Sequence, residues 1–424
     1  MKVKYILSFI FALIIITAAI FIFFQYVPIS DVIEEESKSD KDNGSVSVGN
    51  ISFKEAVNAF AFDIFRELNK NNEGNIFISP YSIFTALAMT YEGAKNETAD
   101  EMAGVLSIEQ DNASFHNYIK NLYDLLNSKK KDYNISTANA LWVQENYKLL
   151  ESFLNLINTY YGGSATEVNF GNPEKAAEII NQWVENNTNG LIKDLILPEY
   201  LDDFTRLILI NTIYFKSMWK FQFDTANTTD RDFDNEYGIT IQVPTMRLLN
   251  TENAFNYIET DDLQILELPY TGNDLSMIIL LPKDNNLLDM INKIDDNSFS
   301  EWKDTMYETN LDIYLPKFKV ESSYNLNEYL INLGMVIPFN PYADFSGING
   351  VRSLYIDKVL HKAYIDVNEE GTEAAAATAV IMREMINGGT IKIVFDCDHP
   401  FMYIIQHKQT GSILFMGSIN DPLI

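Results

Sequence analysis

The amino-acid sequence predicts a mixed α+β fold in one large domain, and three observations carry that expectation. Apolar residues recur at helical spacing through much of 53–188. Strand-type runs dominate 254–418. No internal repeat and no Pro/Gly-rich linker interrupts 51–424. Length alone, 424 residues, would suggest two or three domains. The unbroken pattern argues for one.

The elements follow in order. Phe53, Val57, Phe60, Ala61, Ile64, Phe65 and Leu68 form one helical stripe. Asn75 to Ile78 reads as a short strand, and Ser79-Pro80 opens a helix through Met89, with serine as cap and proline in the first turn. Amphipathic helices are expected over 98–106, 113–126, 149–161 and 173–188, and strands over 135–143 and 165–170. Leu207 to Phe215 is almost continuously apolar, the mark of a strand buried on both faces. A meander is expected from strands at 254–259, 264–269 and 275–281, with turns at 260–262 and 271–274. Short helices at 287–294 and 298–306 precede strands at 311–320, 354–367, 391–395, 401–407 and 413–418.

The N-terminus is different in kind. Lys2 and Lys4 precede an uncharged run from Tyr5 to Val27, long enough at about 1.5 Å per residue to span a hydrocarbon core of roughly 30 Å. Residues 1–27 are expected to be a transmembrane signal-anchor, with a cleaved signal peptide as the alternative. The flanking charges place the bulk of the chain outside. Residues 28–50, with Glu34-Glu35-Glu36 and a Gly/Ser-rich end, read as a flexible acidic tether, and 51–424 as the folded domain. The expected location is therefore the cell surface, or the medium if the segment is removed.

The formal charge is −28, of which 51–424 carries −26. Such a chain repels phosphate backbones, so neither nucleic acid nor a polyanion cofactor is an expected partner. A single cysteine, Cys397, excludes an intrachain disulfide and any Cys-rich zinc site. No GxSxG elbow, P-loop, HExxH or CxxC is present. Asp396-Cys397-Asp398-His399 is one local cluster beside a strand, and His361 lies alone in an apolar strand, as a hydrogen-bonded core histidine would. No catalytic residue, metal ligand or cofactor is assigned, and the chain is not expected to be an enzyme.

One segment does not fit an ordinary core. Residues 369–387 could be an exposed Ala-rich helix on propensity alone. At period two they read otherwise. Thr372, Ala374, Ala376, Thr378, Val380 and Met382 are small or apolar and uncharged, while the opposite parity holds Glu373 and Arg383. An exposed loop with this alternation is also a latent central strand.

Here the sequence resembles the serpin family of serine protease inhibitors over nearly all of 53–424. The resemblance rests on Asn75-Ile76-Phe77-Ile78-Ser79-Pro80-Tyr81-Ser82-Ile83; on Asn211-Thr212-Ile213-Tyr214-Phe215-Lys216 followed by Trp219 and Phe223; and on Leu315-Pro316-Lys317-Phe318. It rests further on Glu369-Glu370-Gly371-Thr372-Glu373-Ala374-Ala375-Ala376, Asp398-His399-Pro400-Phe401 and Leu414-Phe415-Met416-Gly417. It implies the serpin fold, α+β with three sheets, eight or nine helices and an exposed reactive-centre loop, here about 369–390. It also implies irreversible, suicide-substrate inhibition. A target protease cleaves the loop and is trapped as an acyl-enzyme while the loop inserts into the central sheet. A non-inhibitory serpin-fold binding protein is the alternative.

By position, the resemblance assigns Glu369, Glu370, Gly371, Thr372, Glu373, Ala374, Ala375, Ala376 and Ala377 to the hinge. Lys317 and Trp219 go to the top of the sheet, and Ser79, Ser82, Asn211 and His361 to a cluster where the sheet opens. The usual loop length puts the reactive bond at Met385–Ile386, with Arg383 or Glu384 as alternatives. Met385 suits an elastase-, subtilisin- or chymotrypsin-like serine protease in a 1:1 covalent complex, the inhibitor itself being a monomer.

Overall fold

The computed structural model describes residues 47–48, 51–108, 112–128, 132–188, 190, 192–249, 254–372 and 393–424. Val46–Ile424 form one compact unit. Its strands are β1 (Ser47–Val48), β2 (Ile51–Ser52), β3 (Ile76–Ile78), β4 (Tyr133–Gln144), β5 (Ser164–Val168), β6 (Leu207–Met218), β7 (Thr229–Asp234) and β8 (Thr240–Leu248). They continue as β9 (Phe255–Glu259), β10 (Leu263–Pro269), β11 (Leu275–Pro282), β12 (Tyr307–Thr309), β13 (Leu311–Pro316) and β14 (Phe318–Asn325). The last are β15 (Ile356–Val367), β16 (Gly371–Thr372), β17 (Ile393–Asp396), β18 (Phe401–His407) and β19 (Ile413–Ile419). The helices are α1 (Phe53–Asn71), α2 (Pro80–Tyr91), α3 (Asn96–Leu106), α4 (Asn112–Leu126), α5 (Glu151–Tyr161), α6 (Pro173–Asn187), α7 (Leu287–Lys293), α8 (Asp296–Thr305), α9 (Asn327–Asn332) and α10 (Ser346–Asn349). Among the described residues ten α-helices thus stand where eight or nine helices were expected; α9 and α10 are only six and four residues long.

Three large sheets organise the unit, beside the small β1–β2 pair. One has six strands in the order β14-β15-β16-β6-β4-β5, one seven in the order β12-β9-β10-β11-β18-β19-β3, and one four in the order β17-β13-β8-β7. The six-stranded sheet is the frame of everything below. Its strand β6 is buried along almost its whole length, because both faces are covered. Leu209, Ile213 and Phe215 join the main core, whereas Ile208 and Ile210 pack with Ile180 and Val184 of α6 in a second, smaller core.

Helix α2 runs through the main core and is buried from Pro80 to Thr90. It starts where sequence reasoning expected. Ser79 Oγ accepts the Ser82 N–H at 3.3 Å, and Pro80 occupies a position where no N–H is needed. α6 is opened in the same way by Asn172 and Pro173.

Two readings need correction. The strand expected over 311–320 is two strands in different sheets. β13 pairs with β8 and β17 in the four-stranded sheet, and β14 pairs with β15 in the six-stranded one. The chain changes sheets at Lys317, whose backbone N–H is held by the Pro244 carbonyl at 2.9 Å. Strand patterning continues across such a crossing, so it carries no mark of it. The β7–β8 hairpin was not anticipated either. Thr229-Asp230-Arg231-Asp232-Phe233-Asp234 has one apolar residue, and only Phe233 turns inward.

Candidate functional site: a gap in the central sheet

The site is a place where two strands part. β6 and β15 run parallel and pair directly from Leu207 with Ile356 up to Ile213 with Ala363. Above that level β16 lies between them. Gly371 is opposite Met218, and Thr372 is opposite Ser217 on one side and Val367 on the other. Gly371 and Thr372 are therefore seated as a strand, antiparallel to both neighbours. Residues 373–392 lie outside the described residues. So do the hinge positions Glu373, Ala374, Ala375, Ala376 and Ala377, and the reactive-bond candidates Arg383, Glu384, Met385 and Ile386.

Gly371 is dictated by space. A Cβ there would lie 2.1 Å from the Ser217 carbonyl oxygen and 2.6 Å from Met218 Cα, backbone atoms of β6 that cannot swing away. Thr372 is fully buried, and its Oγ1 is 2.8 Å from the phenolic oxygen of Tyr270. Tyr270 in turn stacks on Trp219, ring centroids 4.6 Å apart at 11°.

The chain just before β16 is tied to the segment just after β6. Trp219 Nε1 donates to the Asn368 carbonyl at 2.9 Å, and its backbone N–H to Glu370 O at 2.9 Å. Phe223 N–H donates to Glu369 O at 3.0 Å. The Glu369 carboxylate is buried and doubly held, by Lys317 Nζ at 2.9 Å and Thr228 Oγ1 at 2.8 Å. Burial pushes this carboxyl up, but the Lys317 and Thr228 hydrogen bonds outweigh it and hold the group below its ordinary range. Glu369, Lys317 and Trp219 thus meet at the mouth of the gap.

Further down, at the level where β6 and β15 still pair, a second cluster lies beneath them. His361 on β15 is opposite Asn211 on β6, which is opposite Asn139 on β4. The Ser79 N–H donates to His361 Nε2 at 3.1 Å, so Nδ1 carries the proton and donates to Asn211 Oδ1 at 2.5 Å. Asn211 Nδ2 donates to Ser82 Oγ and Asn139 Oδ1. Ser79 Oγ donates to Leu414 O at 2.7 Å. Burial pushes the imidazole down to about 3, so the ring is neutral. Ser79, Ser82, Asn211 and His361 are one network, joined end to end in a buried layer.

Sequence reasoning missed Asn139, Thr228 and Tyr270. Asn139 had a signal, an amide in the middle of an otherwise buried strand stretch. Thr228 and Tyr270 had none, because their partners are 141 and 102 residues away.

The Asp396–His399 segment does not form a reactive centre. Cys397 is buried, and burial pushes its thiol well up, away from thiolate character. Asp396 pairs with Arg231. His399 is held through Nδ1 by Asp398 at 2.6 Å and through Nε2 by the Pro282 carbonyl at 2.5 Å. Among the described residues, no group of three or more His, Cys, Asp or Glu side chains is placed to hold a metal ion.

The described residues thus hold three large sheets, with the strands of the central one parted at one end by Gly371 and Thr372. The family model for serpins (serine protease inhibitors) matches residues 55–422, and the chain belongs to the serpin family. It is 43% identical to an uncharacterised serpin-like protein of Thermococcus kodakarensis over 371 residues, covering 87% of this chain and 85% of that one. It is 37% identical to human serpin B4, covering 88% and 100%. The crystal structure of Serpin48, described as a highly specific serpin of the insect Tenebrio molitor, superposes with a TM-score of 0.80 at 33% identity, covering 88% of this chain and 99% of that one.

Proposed function

We propose that this chain is an irreversible inhibitor of extracellular serine proteases that works by loop cleavage, acyl-enzyme trapping and strand insertion. The observation that carries the reading is the seat of Gly371 and Thr372 between β15 and β6. Insertion needs no new direction of travel, only continuation of a pairing already begun. The register is antiparallel on both sides. Carried downward from Thr372, it brings residue 382 level with Leu207, where β6 begins. About ten residues would be added, with roughly 0.5–1.5 kcal/mol net per ladder bond, on the order of 10 kcal/mol in all. That is comparable with the stability of a whole domain.

Cleavage at Met385–Ile386 leaves residues 383–385 as a short leash between the sheet's far end and the bound protease. That length supports this bond over one much further along. Met385 as the recognised residue suits an elastase-, subtilisin- or chymotrypsin-like enzyme. The side chains entering the core would be small or apolar and uncharged, and Glu369, Glu370, Gly371, Thr372, Glu373 and Ala374 to Ala377 act as the hinge. Lys317, Thr228 and Trp219 hold its first turn until the cut. Ser79, Ser82, Asn211 and His361 bolt the lower strands until insertion parts them.

The Tyr5–Val27 run supports anchorage of the domain outside a membrane by residues 1–27, through the tether 28–50. Among the described residues no helix is long and apolar enough to cross a membrane; residues 1–46 lie outside them. Membrane fractionation of the full chain, against a chain lacking 1–27, tests this. The inhibitory reading is tested by incubation with a protease panel, followed by denaturing gels and mass mapping of the cut. Turnover of the chain without a covalent product would refute it.

A further inference from the structure

The seven-stranded sheet carries a buried polar island, away from the gap in the central sheet. Gln406 on β18 lies opposite Ser276 on β11, and Glu267 on β10 lies opposite Ile278, which in turn faces Ile404. Side chains two apart along a strand share a face, so Glu267, Ser276 and Gln406 stand on one side of the sheet. All three are buried. Lys303 of α8, half-buried, meets them there and donates from Nζ to Gln406 Oε1.

Both members of that contact are held in place. Gln406 Nε2 donates to the Gly411 carbonyl at 2.6 Å, which keeps Oε1 turned toward the amine. The start of α8 is fixed by reciprocal capping between Asp295 and Ser298. Asp296 accepts from Asn58 Nδ2 of α1 at 2.8 Å, and Asn58 Oδ1 accepts the Ile413 N–H of β19 at 3.0 Å. The charges around Lys303 are as particular. Lys54 pairs with Asp296 at 3.3 Å and Lys408 with Glu267 at 3.1 Å. The Lys303 ammonium is hydrogen-bonded instead to an uncharged oxygen. Burial, together with repulsion from Lys408 and Lys54, draws its amine below the ordinary lysine value, and the attraction of Glu267 offsets this only in part. An amine so placed gives up its proton readily and is then a nucleophile.

We propose that Lys303 and Gln406 join in an intramolecular amide bond that ties α8 to β18, with the Glu267 carboxylate carrying the proton. Lys303 Nζ attacks Gln406 Cδ, and the bond from Cδ to Nε2 breaks. Nε2 leaves as ammonia with the proton that Nζ gives up, passed on by Glu267. One amide replaces another, so no oxidant, reductant or second substrate enters. Reactants held in contact by a rigid frame replace a bimolecular encounter. Burial of Gln406 keeps out the water that would compete for Cδ. The product also removes a half-buried charge that has no carboxylate of its own. The tie would close the chain from 303 to 406 into a ring that contains the reactive loop, and it does not depend on the inhibitory reading.

The test is peptide mapping and intact mass of the full-length wild type, freshly purified and after prolonged warming, beside Lys303→Arg, Gln406→Met and Glu267→Gln. Wild type should be lighter than its sequence by one ammonia. Trypsin should fail to cut after Lys303, and a branched peptide holding both residues should appear. A cut in the reactive loop should leave the two pieces joined on a denaturing gel. Lys303→Arg keeps the charge and Gln406→Met the bulk; both should have the full mass, separate after the same cut, and melt lower by roughly 5 °C or more, since a closed loop of about a hundred residues restricts the unfolded chain. Glu267→Gln, where its melt shows it folded, should link more slowly. Separate, unlinked Lys303 and Gln406 peptides in warmed wild type would overturn the proposal. So would an ammonia loss that persists in Lys303→Arg, which would place the loss elsewhere in the chain.

Discussion

Thr372 and Tyr270 share a hydrogen bond of 2.8 Å in a place where neither side chain is exposed to solvent. The bond joins Thr372, seated with Gly371 in the central sheet, to the aromatic stack of Tyr270 and Trp219. Removing one partner leaves the other buried and unpaired, at about 1–3 kcal/mol, whereas removing both is close to neutral. Thr372→Val and Tyr270→Phe should therefore each destabilise the uncleaved protein. The double variant should recover most of the loss in urea unfolding. Strict additivity of the two single losses would show that the bond does not hold the hinge.

Gly371 and Thr372 differ in what a substitution breaks. Gly371→Ala drives a methyl group into the backbone of β6, and should expel the hinge at about 1–3 kcal/mol. Hydrogen exchange at the backbone amides of 371 and 372 should speed up. Thr372→Arg asks a guanidinium to enter the core. Incubated with a target protease, that variant should be cut and released, with many molecules consumed per protease trapped. One-to-one trapping by Thr372→Arg would contradict the burial argument.

Acid should loosen the site in two stages. His361 is held neutral, its folded pKa lowered to about 3 from an ordinary 6.5. A lowered folded pKa means the unfolded chain takes up the proton first. Stability is therefore full above pH 6.5 and falls as pH drops toward 3, by roughly 4 kcal/mol over the window. Glu369 is also held below its ordinary value, so its contribution is present above about pH 4.5 and lost on further acidification. Melting temperature against pH should fall from 6.5 downward in the wild type. His361→Gln should flatten the upper part of that fall, and Glu369→Gln only the lower part.

The distal side of the loop should respond in the opposite sense. Burial pushes the His399 imidazole down, but hydrogen bonds to Asp398 and the Pro282 carbonyl more than offset it, and the ring is held above its ordinary value. A raised folded pKa gives stability that is complete below pH 6.5 and fades as pH rises through the folded value. The neighbouring Cys397 is buried and its N–H bonds the Tyr314 carbonyl at 3.0 Å, so it reports on this anchor. Thiol labelling, divided by the rate for the unfolded chain at the same pH, should quicken from pH 6 to 8 in the wild type. In His399→Gln it should be fast throughout. A pH-independent wild-type rate would argue against the clamp.

Much of this arrangement was legible before any coordinates, where the physics is local. The apolar run Leu207–Phe215 announced a doubly covered strand because burial on both faces leaves no room for alternation. Ser79-Pro80 announced the start of α2 because capping uses neighbours three residues apart. The parity of 372–382 reads as a latent strand, and of those positions only Thr372 lies among the described residues, seated in the sheet. Contacts between distant segments carried no such mark. Nothing around Lys317 signals a change of sheet, and nothing around Tyr270 signals Thr372. Asn139 was readable only as an oddity until its row with Asn211 and His361 was in place. The partial seating of Gly371 and Thr372 was not foreseen at all, since the period-two pattern tells which face a residue would take but not how far insertion has gone.

The most direct measurement takes the full chain through cleavage by an elastase-, a subtilisin- and a chymotrypsin-like protease, with a denaturing gel, mass mapping of the cut and a melt of the cleaved product. Strand insertion predicts a protease-linked band stable to denaturant, a cut at Met385–Ile386 and a large rise in melting temperature. Cleavage in the loop with neither a linked band nor a rise would contradict it.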